Sequence, residues 1–95
     1  MKALIFVTEH HLGPNAQWQY DRVMALLSYD YDVSLVFMNE GVSQLQSKMW
    51  NILNLMEINQ VYVVEKEVES DTHLEYEVIT ISEIKELIAQ ADIVI

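Results

Sequence analysis

The side chains best suited to chemistry in this chain fall in two short stretches. Glu9, His10 and His11 follow an apolar run near the start, and Glu40 stands beside Gly41 after a second run. A carboxylate beside an imidazole can hold a proton, orient a donor or contribute to a metal site. The spacing argues against the metal. Adjacent residues of an extended stretch point to opposite sides, whereas helical ligand pairs stand about three or four residues apart. His73, the third histidine, would have to be brought back by the fold. A histidine general base needs a nucleophile to activate, and none can be named here. The expectation is therefore no catalytic residue, no metal and no cofactor. Glu9, His10, His11 and Glu40 remain as candidate ligand-binding groups, with structural or surface histidines as the plainer reading.

Other chemistries fail on motif. There are no cysteines, which removes thiol catalysis, a disulfide framework and a cysteine zinc site. Thr8-Glu9-His10-His11-Leu12-Gly13 does not supply the glycine-rich turn of a dinucleotide fold, and no Walker-type Gly-Lys-Ser/Thr occurs. Glu9 and Glu65 only faintly echo the acidic positions of a receiver domain, and a Ser/Thr/Gly-rich flavin phosphate loop is missing. Trp18 and Trp50 lie on or near helical patterns, where packing or a subunit contact is the commoner role for tryptophan than a ligand platform.

The elements that must position these residues alternate. Ala3 to Val7 is a continuous apolar run, as in a parallel strand buried on both faces. Gly13-Pro14-Asn15 breaks the chain, with Asn15 as an expected helix cap, and Ala16, Tyr20, Val23, Met24 and Leu27 recur at helical spacing to about Ser28. Tyr31 to Met38 is a second strand. Ser43 with Gln46 predicts a capping box opening a second helix whose inner stripe is Leu45, Met49, Ile52, Leu53 and Met56, stopped at Asn59. Val61 to Val64 is a third strand. An acidic connection over 65–77 follows, then a short strand at Glu77 to Thr80. A second capping box, Thr80 with Glu83, opens a helix with Ile84, Leu87, Ile88 and Ala91 inward, and Asp92 to Ile95 closes as a strand. The predicted class is α/β, one domain over residues 1–95, with a three-layer α/β/α arrangement and a mostly parallel five-stranded sheet. Ligands in such sheets sit beyond the carboxyl ends of the strands, which places the loops 9–15, 39–43 and 65–76 together.

Composition bounds the partners. Fifteen acids against five bases give a formal charge of −10, a field that repels a phosphate backbone and disfavours direct nucleic-acid binding. Such a surface serves solubility or docks a basic partner. An apolar share of 52% in so short a chain points to surface buried between subunits. The opening apolar run stops at Thr8, too short for a signal peptide, and no stretch is long enough to span a bilayer, so the expected location is the cytoplasm.

Three stretches carry a family resemblance. Asp32-Val33-Ser34-Leu35-Val36-Phe37-Met38-Asn39-Glu40-Gly41-Val42-Ser43-Gln44-Leu45 resembles the strand and acidic-Gly-Val turn of the DsrE/DsrF family of small sulfur-relay proteins. Leu55 to Val64 resembles its next helix end and third strand, and Ile81 to Ile95 its closing helix and buried strand. The early loop with Gly13 is also similar in character. The resemblance implies a compact α/β domain that assembles into homo- or hetero-oligomers with DsrE- or DsrH-like paralogues, in a relay that delivers sulfur toward tRNA 2-thiouridine. It also implies a cysteine at the third strand of the catalytic subunit, which aligns here with Val63 or Val64. Valine has no thiolate, and a persulfide needs one. The implied identity is a non-catalytic TusC-like (DsrF-like) subunit or a stand-alone relative. The alternative is an oligomeric small-ligand-binding protein that uses the loops at the strand ends.

Overall fold

A computed structural model describes residues 1–46, 48–55, 60–64 and 76–95. Along it run β1 (Lys2–Val7), α1 (Ala16–Ser28), β2 (Asp32–Phe37), 3-10 segments at Asn39–Gln46 and Lys48–Asn51, α2 (Ile52–Leu55), β3 (Val61–Val64), β4 (Glu77–Ile79), α3 (Ile81–Gln90) and β5 (Ile93–Val94). The five strands form one sheet in the order β4-β3-β2-β1-β5, and every neighbouring pair is parallel. Three successive connections thus step outward from β1, and the last returns to its other side.

The apolar runs read as doubly buried strands are that. Ile5, Val7, Leu35, Phe37, Val61 and Val63 pack on one face with Val23 of α1 and with Leu45, Trp50 and Leu53. Leu4, Val36, Val64 and Ile79 pack on the other with Ile84 of α3. Alternate residues of one strand therefore enter two different cores, which is why period-two patterning is absent from β1 and β2. Trp50 is fully buried and meets Tyr20 and Phe37 edge-on, at centroid distances of 5.2 and 5.4 Å.

Several local expectations change. The chain after β2 does not enter an α-helix at Ser43. It winds as 3-10 helix from Asn39, and only Ile52–Leu55 is α-helical. The tight winding begins where Gly41 presses on the end of β1. A Cβ there would stand 1.8 Å from the Val7 carbonyl oxygen. The Ser43 hydroxyl accepts from His11 N–H and donates to the Glu40 carbonyl, and it does not cap a helix. Asn15 precedes α1 with helical backbone angles (φ −96°, ψ −1°) in place of the extended ones of a cap, and it makes no side-chain capping bond; its amide donates to Glu9 Oε1 at 3.4 Å. In α3, Ile84 is buried and Leu87 and Ala91 are half-buried, whereas Ile88 is exposed. The Thr80–Glu83 capping box is present with both reciprocal bonds. The expected stop at Asn59, the side chains of Met49 and Met56, His73 and most of the acidic connection lie outside the described residues.

Candidate functional site

The carboxyl ends of β1 and β2 lie side by side, Val7 opposite Phe37, so the segments after them meet. Met38 N–H donates to the Val7 carbonyl at 3.1 Å and Gly41 N–H to the Met38 carbonyl at 2.9 Å, folding the second segment under the first. The loops over 9–15 and 39–43 are thereby joined. His11 N–H donates to Ser43 Oγ at 3.0 Å, and that hydroxyl donates onward to the Glu40 carbonyl at 2.8 Å.

Beneath the loop sits a buried amide. Gln44 has 0% exposure, and its Nε2 donates to the Glu9 carbonyl at 2.6 Å and to Gln19 Oε1 at 3.2 Å. Its Oε1 accepts from the Trp50 indole N–H at 3.1 Å. Glu9 N–H also donates to Gln19 Oε1, at 3.4 Å. Glu9 is therefore held through both its backbone groups, and its carboxylate through Asn15. Every hydrogen-bonding direction of the Gln44 amide but one is used, a degree of satisfaction that makes a buried polar group tolerable.

The candidate groups divide. Glu9, His10 and His11 are half-buried on one loop, and the two imidazoles stack with centroids 4.4 Å apart at an interplanar angle of 33°. Leu12 N–H donates to His10 Nδ1 at 3.1 Å, so in this arrangement that nitrogen is the acceptor and Nε2 carries the proton. His11 Nδ1 is buried with no hydrogen-bond partner among the described residues. Glu40 differs. It is exposed and, among the described residues, joins the loop through its carbonyl oxygen, with no bond from its carboxylate to either histidine. No three acids or histidines among the described residues stand close enough to hold a metal ion. Concavities lined by described residues lie elsewhere, one of about 610 Å³ beside Leu26, Tyr29 and Tyr31 and one of about 190 Å³ beside α3.

Val63 and Val64, at the end of β3, face opposite cores with exposures of 0% and 9%. Reading the sequence missed Gln44, Gln19 and Ser43. The signal for Gln44 was present at a different period. Gly41 and Gln44 stand three residues apart, the repeat of a 3-10 helix, Trp50 follows six residues on, and all three are buried. A search at 3.6 residues per turn passes over it.

The strand order, the all-parallel pairing and the helices on both faces define an α/β/α sandwich around one parallel five-stranded sheet. Among solved structures, the chain is similar to the crystal structure of the YchN protein from E. coli. The likeness has a TM-score of 0.80 at 17% identity and covers 100% of this chain and 97% of that one, which shows the shared fold. No protein-family model and no curated protein sequence matches the chain. No helix among the described residues is long and apolar enough to cross a membrane.

Proposed function

We propose that this chain is a cysteine-free, non-catalytic subunit, or a relative of one, of a DsrE/TusC-like sulfur-relay complex in the cytoplasm. It acts by assembling with DsrE- or DsrH-like paralogues that carry sulfur toward tRNA 2-thiouridine. The observation that carries this reading is the end of β3. Where the resemblance implies a reactive cysteine, Val63 and Val64 are packed into the two cores as filler. Exposed Leu12, Trp18 and Ile81 supply apolar surface of the kind that assembly buries. The test is the mass of the purified chain by light scattering, alone and after affinity capture from its native cytosol. Recovery with a cysteine-bearing paralogue supports the reading; a monomer or homo-oligomer that captures no such protein overturns it.

One observation favours the second reading, a small-ligand-binding oligomer. The loop of Glu9, His10 and His11 is clamped at several backbone atoms and leaves His11 Nδ1 buried with no hydrogen-bond partner among the described residues. Polar groups held in place at strand ends suit recognition of a ligand. Replacing His10 and His11 together by alanine leaves assembly mass unchanged under the first reading. Under the second it abolishes ligand binding.

A further inference from the structure

The face of the sheet that carries Leu4, Val36, Val64 and Ile79 is covered, among the described residues, by α3 alone. One helix, about 10–12 Å across, cannot roof a five-stranded sheet whose strands stand about 4.8 Å apart. Among the described residues, α3 leaves a smaller hollow of about 60 Å³ on one side, beside Lys2, Leu4 and Ser34, and a trough of about 190 Å³ on the other, between itself and the β3–β4 edge. Its floor is Tyr62, Ile79 and Leu87, and its rim is Glu77, Glu83 and Glu86. The rim comes from two elements. Glu77 stands opposite Tyr62 in the sheet register, while Glu83 and Glu86 lie along α3. All three glutamates are exposed, and none is ion-paired among the described residues.

We propose that this trough docks a segment of a partner protein that presents lysines or arginines. The carboxylates are spread along the rim and do not converge to hold a metal ion, so the matching charge is distributed too. The floor is aliphatic and aromatic, which suits the methylene stems of basic side chains whose heads reach the rim. A second copy is disfavoured, because it brings another net charge of −10 to an already acidic rim. The inference rests on the reading of the chain as an assembly subunit and names the chemistry of one partner surface.

The test uses a short synthetic peptide of alternating leucine and lysine, titrated into the isotope-labelled chain and followed by amide chemical shifts. Shifts confined to β3, β4 and α3 are expected. With Glu77→Gln, Glu83→Gln and Glu86→Gln combined, affinity falls about tenfold or more, summing exposed charge contacts. Glutamine keeps the capping box at position 83, so the variant retains its helix, checked by circular dichroism. Shifts scattered over Asp21, Asp30 and Glu40, or unchanged affinity in the triple variant, overturn the proposal. Spermidine binding as tightly as the peptide assigns the trough to a small polycation and overturns it as well. Failure here leaves the capture of a cysteine-bearing paralogue untouched, so the two readings fail separately.

Discussion

Replacing Gln44 by leucine isolates the energetic role of the amide beneath the candidate loop. Leucine has a similar volume, so the change adds little cavity cost. It removes the acceptor of the buried Trp50 indole N–H and the donor to the Glu9 carbonyl. Each stranded buried group costs about 1–3 kcal/mol, the carbonyl toward the lower end because Glu9 is only half-buried. The sum is about 3 kcal/mol, a large part of the roughly 5–15 kcal/mol that stabilises a domain, and equivalent to roughly 12–24 °C in Tm at this size. The assay is urea unfolding followed by tryptophan fluorescence in a Trp18→Phe background, which leaves Trp50 as the sole indole. Amide exchange at His11 is read in parallel, because the loop is held through Glu9. A loss below about 0.5 kcal/mol, within the range of an ordinary surface change, would refute the argument that this amide is a satisfied buried hub.

The other expectations are simpler. Gln44→Glu places carboxylate oxygens against the Glu9 carbonyl and Gln19 Oε1, which raises the folded-state pKa of the new acid. The destabilisation is then full above that folded value and shrinks as pH falls through it, measured as Tm against pH. Gly41→Ala puts a methyl group onto the Val7 carbonyl and costs about 3 kcal/mol by urea unfolding, since backbone cannot yield as a side-chain tip would. Thr80→Ala removes the capping box of α3 and costs about 1 kcal/mol, whereas Thr80→Ser costs only a small part of that. A cysteine introduced as Val63→Cys resists a maleimide in the native state, and Val64→Cys, at 9% exposure, reacts slowly; rapid reaction at either would show that the end of β3 opens.

Much of the architecture was legible because its signals are local. The undivided apolar runs of β1 and β2 announced strands buried on both faces, and Thr80 with Glu83 announced the start of α3, since a capping box needs only its own four residues. The same logic misled at Ser43 and Asn15. Both have the side chain of a cap, but the Ser43 hydroxyl accepts from His11 N–H, 32 residues away, and Asn15 has helical backbone angles while its amide donates to the Glu9 carboxylate. A hydroxyl or amide takes whichever donor or acceptor the tertiary structure sets within reach.

The amino-acid sequence alone determined the alternation of strands and helices, the strongly acidic charge and the want of any thiol. It also marked the loops where Glu9, His10, His11 and Glu40 would be found, because these follow from residue type and spacing. Only the tertiary structure decided which of them meet. The side-by-side registry of β1 and β2 brought Ser43 and Gln44 under the first loop, and in the 3-10 segment that passes the close approach at Gly41 the Gln44 side chain is buried and Glu40 is exposed. That outcome depends on contacts between residues more than thirty positions apart, as between Gln44 and Glu9, and no local pattern encodes such a pairing.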